Sequence, residues 1–529
     1  MVIALVLVLA AIILFYIYAT RTYDRFKNSC APYFKPLPLF RNALPFMLGK
    51  QNLTEGINKV YTAFSGYRFA GLFQLRTPII VLRDPELIRQ IAIKDFEFFT
   101  NHQPFVDLEF EPLFGGSLFN LKDQRWRDMR SILSPAFTGS KIRLMFDLVW
   151  ECAEQMTEFL KKQLEVEDSI DLELKQLITK YANDVIATSA FGLKVDSFKY
   201  PDNVFYAMGK RVSNFAGVRA IVRMTLFMIM PRILKLLNMT FIDEKCGNFF
   251  RKLVKDTMYQ REVQGVYRPD MMQLLMMARK GLLQSTNDND SEERPENNKS
   301  LENNRFSKRE WTNDEITGQA LLFFGAGFET VSTAACFILY ELAINPEVQE
   351  TLQQEIDVLD NEISSNNLEM NYEMLNQMKY MNMVVSEGLR KWPPAPFADR
   401  KCNKDYEMED HEGNKFMVKT NETVVIPMFS LHYDENYFPD PEKFIPHRFS
   451  DENKGNIKPF TYMPFGVGPR NCIGSRFALM EIKVMLFNIL KNFDLIPGEK
   501  TEIPLKLAKG SLQMKPKNGF WIKFKQRNK

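Results

Sequence analysis

The chain has 529 residues, 45% of them hydrophobic and 25% charged, a balance that excludes disordered, collagen-like and multi-span membrane proteins. Its 68 basic and 65 acidic residues leave a net charge of +3, which excludes the strongly basic profile of a nucleic-acid binder. At roughly 150 residues per domain the length allows about three domains, a count left open until the functional residues are located. Six cysteines (Cys30, Cys152, Cys246, Cys336, Cys402, Cys472) stand more than 60 residues apart. They form neither a zinc module nor a disulfide framework, and reduced thiols in a cytosolic compartment fit them best.

Met1 to Ala19 is an uncharged apolar run that makes a helix of about 28 Å, close to the hydrocarbon thickness of a bilayer. An uncleaved spanning helix is expected. A cleaved leader, the competing reading, would want a basic start and a small-residue cleavage site, whereas this run ends in Phe15, Tyr16 and Tyr18. Arg21, Arg25 and Lys27 follow it, so the positive-inside rule puts the amino terminus in the lumen and the body in the cytosol. The sequons at Asn52, Asn238, Asn289, Asn298 and Asn421 then stay unglycosylated. The run is not the Arg-rich amphipathic helix of a mitochondrial leader, so the endoplasmic reticulum is the expected address. Pro32, Pro36 and Pro38 make 20–40 a basic, stiff, proline-rich linker.

Along the body, β-like runs occur at Phe73–Val81, Phe416–Pro427 and Phe520–Phe524, amid prevailing helical periodicity. Phe105, Phe110, Phe114 and Phe119 crowd one segment, and Trp126 and Arg130 share a helix face at i, i+4. The apolar stretch Phe215–Leu237 is broken by Arg219, Arg223 and Pro231 and reads equally as a membrane-dipping or pocket-covering element or as a buried core helix. Gln284–Arg309 is almost wholly polar and reads as a long exposed loop or a domain linker. Thr312-Asn313-Asp314-Glu315 is a capping box for a helix ending at Asn345-Pro346, close to 50 Å long. Within it Gly325 and Gly327 each cost about 1 kcal/mol relative to alanine, for close helix packing or because something lies against the backbone. Glu387 and Arg390 are an i, i+3 pair on a helix stopped at Pro393, which alone reads as a surface salt bridge.

The strongest signal is Phe465-x-x-Gly468-x-Arg470-x-Cys472-x-Gly474, a pattern met by chance in roughly one such chain in ten thousand. The segment PFGVGPRNCIGSRFALMEIK closely resembles the haem-binding signature of cytochrome P-450 monooxygenases, of the microsomal type and the insect xenobiotic-detoxification branch. Trp126-x-x-x-Arg130, Ala326-Gly327-Phe328-Glu329-Thr330, Glu387-x-x-Arg390 and Phe444-x-Pro446-x-Arg448-Phe449 extend the resemblance over nearly the whole chain.

The resemblance implies a mainly α fold with small β-sheets, a single haem domain over 41–529 behind the anchor at 1–19. It makes Cys472 the axial ligand of haem b iron, and the helical run Ser475–Phe493 just after it places a helix start where thiolate is favoured over thiol. An anionic sulfur pushes electron density through iron and favours O–O cleavage. Gly468 and Gly474 let the backbone turn and approach the sulfur, Phe465 screens it from water, and Arg470, Trp126, Arg130, Arg400 and His102 reach the propionates; for His102 a solvated loop position is an even alternative. Gly327 leaves room for dioxygen, and Thr330 with Glu329 relays protons. The family often has a hydroxylated residue where this chain has Val331, which touches the relay's hydrogen bonding and not the reaction type. Glu387, Arg390 and Arg448 form a structural network that braces the cysteine loop. Phe105, Phe114, Phe119, Phe215, Phe324, Ala326, Phe397 and Leu512 fall where substrate would contact, with core packing as the alternative.

The implied reaction inserts one atom of O2 into a lipophilic substrate, xenobiotic or endogenous. The chain has no dinucleotide fingerprint, so NADPH acts indirectly, through a separate flavoprotein reductase docking on Lys122, Arg125, Arg127 and Arg476, with a small cytochrome as a further electron donor. Competing functions are a reductase-independent isomerase or dehydratase acting on peroxides, and a tethered non-catalytic haem or ligand carrier.

Overall fold

The computed structural model describes residues 2–36, 42, 44–74, 77–103, 108, 111–213, 226–227, 234, 236–237, 239–280, 311–511 and 514–527. Phe105, Phe110, Phe215, Leu512 and the polar run 284–309 lie outside the described residues, as does most of 215–237.

In chain order the principal helices are α1 (Val2–Thr20), α2 (Leu53–Ala63), α3 (Asp123–Leu133), α4 (Phe146–Leu164), α5 (Leu174–Phe191), α6 (Val204–Val212), α7 (Glu244–Gln264), α8 (Met271–Arg279), α9 (Asn313–Ile344), α10 (Pro346–Ser365), α11 (Lys379–Lys391) and α12 (Ser475–Asn492). The strands are β1 (Phe69–Gln74), β2 (Thr77–Leu82), β3 (Ser169–Glu173), β4 (Ala398–Lys401), β5 (Tyr406–Glu409), β6 (Lys415–Val418), β7 (Thr423–Ile426), β8 (Phe493–Ile496) and β9 (Trp521–Gln526). They form a four-stranded sheet β1-β2-β7-β4, a three-stranded sheet β3-β9-β8 and the hairpin β5-β6. Two β-like runs are each divided. Phe73–Val81 straddles the antiparallel pair β1-β2, and 416–427 bends at Asn421, in the left-handed region at φ 73°, so that β6 and β7 enter different sheets.

The capping box forms as expected: the Glu315 amide donates to Thr312 Oγ1 at 3.1 Å, and the Thr312 amide to Glu315 Oε2 at 3.0 Å. From there α9 runs 32 residues to Pro346, the first residue of α10. Its apolar residues serve two different cores. Ile316 to Phe328 pack with α3, α5, α7 and α8, while Val331 to Ala343 pack with α4, α5, α10, α11 and α12. The seam between the cores falls at residues 326–330. By length and composition α9 could cross a membrane, but most of its residues are buried among the other helices, which makes it the core helix of the body.

By contrast α1 carries no charge, and Ile3, Leu7 and Leu14 are 64–77% exposed. The segment after it is docked on the body. Arg25 pairs with Glu422 (Nη2 to Oε2, 2.7 Å), donates to the Met417 carbonyl at 2.5 Å and lies 4.6 Å over the Phe416 ring. Phe26 is buried in the cluster that joins the four-stranded sheet to β5-β6. It fits there because residue 71 is glycine: a Cβ at Gly71 would stand 2.8 Å from the Phe26 ring. The Gly71 amide in turn donates to the Pro32 carbonyl at 2.7 Å.

Candidate functional site

The cysteine loop is closed by the Cys472 amide, which donates to the Phe465 carbonyl at 2.8 Å, and by the Asn471 amide to the Gly468 carbonyl at 2.9 Å. Gly466 and Gly468 are left-handed, at φ 77° and 73°, a conformation cheap only for glycine. At Gly468 a Cβ would also fall 2.1 Å from the Ala92 carbonyl oxygen, so no other residue fits. Gly474 differs from expectation: it caps α12 at φ −94°, and a Cβ there would make only ordinary contact with Phe137. Neither a turn nor a close approach by protein demands glycine at that point.

Cys472 is exposed, yet it lies deep in the body, so its sulfur faces an enclosed space. Burial pushes the thiol up, and the Gly474 amide and Arg130 pull it back down. The helix-start amide lowers the thiol, but desolvation outweighs it and the net shift is upward. Among the described residues no group of three or more His, Cys, Asp or Glu side chains could hold a bare metal ion. An ion at Cys472 must bring most of its own ligands.

Three guanidiniums crowd the rim. Arg470 is pushed down to about 9, first by burial and then by Arg400, with Arg130 adding to it. Its guanidinium donates to the carbonyls of Thr100, Leu118 and Leu121, and it stacks on the Trp126 ring at 4.1 Å. Arg400, on β4, is pushed down to about 10 by burial, with Asp399 opposing; it donates to the carbonyls of Asp399 and Val467, and its buried Nε has no partner. Arg130 donates to the Asn471 carbonyl and side chain at 3.0 and 2.8 Å. His102 is not a solvated loop residue. Its Nδ1 lies 3.1 Å from Asp399 Oδ1, its ring stacks on Phe119 at 4.8 Å, and burial holds it down, opposed by Asp399. With Asp399 so engaged, no ion pair reaches Arg130, Arg400 or Arg470 among the described residues. Three cations lacking carboxylates, an orphaned Nε and a thiol facing an enclosed space fit a dianionic macrocycle whose metal takes one sulfur ligand.

On α9, Ala326 and Thr330 are exposed although Phe324, Phe328 and Val331 beside them are buried, and nothing stands within 4 Å of a Cβ at Gly325. This face opens onto interior space. Phe137 links it to the cysteine loop, touching Phe323 (ring centroids 5.3 Å) and lying nearest Gly474. Gly327 sits against Ile186 of α5. Thr330 Oγ1 donates to the Ala326 carbonyl at 2.5 Å, while Glu329 turns away from it, to Lys175 of α5, at 3.0 Å.

Glu387 and Arg390 are fully buried, not a surface pair. Arg390 Nε and Nη2 reach the Glu387 carboxylate at 2.7 and 2.8 Å, and Arg448 Nε adds a contact at 3.4 Å. A member missed in the sequence is His432, whose Nδ1 meets the Arg390 carbonyl at 3.0 Å and whose Nε2 accepts from the Met463 amide at 3.0 Å. It ties α11 to the residue two before Phe465. A lone histidine with no pattern around it gave no signal.

Of the pocket residues described, Phe119 stacks on His102, Phe114 stacks on Phe241 at 5.2 Å, and Phe397 packs beside Ile79 and Val425. Phe324 is core: it is fully buried against Gly209 of α6 and the rings of Phe191, Phe205 and Phe250, because the helical phase turns it away from the Ala326 face.

The sequence model of the cytochrome P-450 family matches residues 31–523. The chain is 45% identical to cytochrome P-450 9e2 of Blattella germanica over 98% of its length and 96% of the relative's. It is 41% identical to probable cytochrome P-450 9f2 of Drosophila melanogaster, covering 97% of each, and 34% identical to cytochrome P-450 3A7 of Homo sapiens, covering 97% of this chain and 94% of the relative. The chain therefore belongs to the cytochrome P-450 family. It is a monooxygenase of the oxidoreductase class with haem as its cofactor.

Proposed function

We propose that the chain is a membrane-bound haem-thiolate monooxygenase that oxidises lipophilic substrates, xenobiotics or endogenous lipids and hormones, with O2 and electrons from an NADPH-dependent flavoprotein reductase. The observation that carries the reading is Cys472, its sulfur facing an enclosed space beside three guanidiniums that lack carboxylate partners. When bound, haem supplies the redox and oxygen chemistry through its iron.

The chain's residues do the rest. Cys472, held by the turn at Gly468 and hydrogen-bonded by the Gly474 amide, would bind the haem iron through its sulfur. Phe465 shields it from water. Arg130, Arg400 and Arg470 bind the propionates, with Trp126 beneath Arg470 and with His102 orienting through Asp399. Ala326 and Gly327 keep the α9 face low enough for oxygen and substrate to approach. Thr330 holds a proton at Oγ1, and Glu329 delivers protons to it from solvent. Phe105, Phe114, Phe119, Phe215, Phe397 and Leu512 line the apolar pocket. Glu387, Arg390 and Arg448 keep the cysteine loop in place.

Residues 1–19 act as a single-pass anchor in the endoplasmic reticulum, 20–40 as its connector, and 41–529 as the cytosol-facing haem domain. The exposed apolar surface of α1 supports the anchor, since water would penalise it and acyl chains would not. Lys122, Arg125, Arg127 and Arg476 face the reductase, and a small cytochrome is a second donor.

The test is the carbon-monoxide difference spectrum of purified protein, together with product formation in a lipophilic-substrate screen with reductase. Wild type is expected to show the thiolate-type band and NADPH-dependent product, and Cys472→Ala neither. Retention of the band by Cys472→Ala would remove the ligand assignment. NADPH-independent turnover of a hydroperoxide would point to the isomerase reading.

A further inference from the structure

Lys175 stands at the second position of α5, and its ammonium sits in a ring of acceptors belonging to α9. Nζ is 3.0 Å from Glu329 Oε1, 2.8 Å from Ser332 Oγ, 2.7 Å from Thr333 Oγ1 and 3.4 Å from the Glu329 carbonyl. Ser332 spends its own proton on the Phe328 carbonyl at 2.5 Å, so it is free to accept. Glu173, two residues before Lys175, is otherwise engaged: its two oxygens accept from the amides of Gln176 at 2.9 Å and Phe520 at 3.1 Å. Glu329 is thus the carboxylate that Lys175 serves.

A partly exposed ion pair adds little to stability, and α5 does not need one to stay on α9. Ile178, Tyr181 and Val185 already bury themselves against Val331, Ala334 and Ala335 in one core, and Ile186 lies under Gly327. Both partners retain about a quarter of their side-chain exposure, 27% for Lys175 and 21% for Glu329, so water reaches the pair. On the other side of Glu329 stands Thr330, whose hydroxyl is bonded to Ala326 and not to the carboxylate. The acid is parked on the α5 side, one residue from the hydroxyl it must supply.

We propose that Lys175 is the positioning residue of the proton relay, holding Glu329 on the α5 side between transfers and setting how readily its carboxylate turns toward Thr330. This rests on the reading that Glu329 and Thr330 carry protons to the oxygen being reduced. One proton enters from bulk hydronium at Glu329 Oε, and one leaves toward that oxygen through Thr330 Oγ1. The carboxylate is thereby regenerated as the anion that Lys175 recaptures.

The experiment uses full-length holoenzyme with its reductase and 7-ethoxycoumarin as the probe. It measures hydrogen peroxide released per NADPH oxidised and the ratio of NADPH consumption in H2O and D2O. Lys175→Met is expected to raise peroxide per NADPH about threefold and to change the isotope ratio. Its carbon-monoxide band should stay at wild-type amplitude, and Lys175→Arg should restore most of the coupling. A purely structural role would lower the yield of haem protein without moving either ratio. Should Lys175→Met fail to load haem, Lys175→Gln removes the charge while keeping hydrogen bonds to Ser332 and Thr333, and carries the same comparison. Wild-type ratios in the Lys175 variants beside shifted ratios in Glu329→Gln would overturn the assignment of Lys175. Wild-type ratios in Glu329→Gln as well would overturn the relay itself.

Discussion

Two sets of buried and half-buried arginines lie in this body, and they are satisfied in opposite ways. Arg390 and Arg448 close on Glu387, and their remaining donors reach the carbonyls of His432, Pro441 and Asp440. Arg130, Arg400 and Arg470 have carbonyls and an amide but no carboxylate, and one buried Nε has nothing. Desolvation is costly for both sets. The closed set meets that cost inside the chain, so it belongs to the fold. The open set meets it only when an anion arrives, so it belongs to the ligand.

The largest break in that contrast comes from Glu387→Gln, which leaves the buried Arg390 and the half-buried Arg448 facing a neutral amide. A loss of about 3–5 kcal/mol is expected for such a broken pair, enough to abolish recovery of folded haem protein, read as soluble yield and carbon-monoxide-binding protein. Arg400→Met should do the reverse. The haem-free chain should melt within a few degrees of wild type, because Asp399, the one carboxylate that Arg400 helps, keeps His102 and the Gln103 amide. Haem transfer to an acceptor globin should run about 10-fold faster or more, as for the loss of one charge-assisted hydrogen bond. Equal damage to both properties would erase the distinction between the sets.

The smallest effect is a pH dependence seated in the closed set. His432 is held down to about 3, by burial first and Arg390 second, against about 6.5 in an unfolded chain. A depressed imidazole gives stability that is fully present above the unfolded value and drains away as pH falls from about 6.5 toward 3. The stability gap between wild type and His432→Asn, from denaturant titrations, should therefore be widest at pH 7.5 and narrower at pH 5. A gap that stays constant across that range would place the acid sensitivity in other groups.

Much of this was legible in residue order. The capping box, the glycines inside α9 and the spacing around Cys472 each encode a local constraint, and local constraints survive in one dimension. The partners of those residues were not legible. Lys175 is 154 positions from Glu329, and His432 is 31 from Met463; only the fold makes them neighbours, and neither carries a spacing pattern. The choice at Phe324 between pocket and core is of the same kind, since helical phase within a mostly buried helix is not written in its hydrophobicity. The i, i+3 pair Glu387–Arg390 was visible, but its burial depended on residues 432–448 folding over it.

The docked segment after α1 has a consequence for how the molecule is handled. Between Thr20 and Arg25 lie only four residues, a leash of about 14 Å at full stretch. The body hangs on it at one fixed corner, beside the β5-β6 hairpin. A shortened chain that starts at Tyr23 keeps that corner intact. One that starts at Pro38 pulls Phe26 from its glycine socket and Arg25 from Glu422, and leaves a ring-sized hole where the sheets meet.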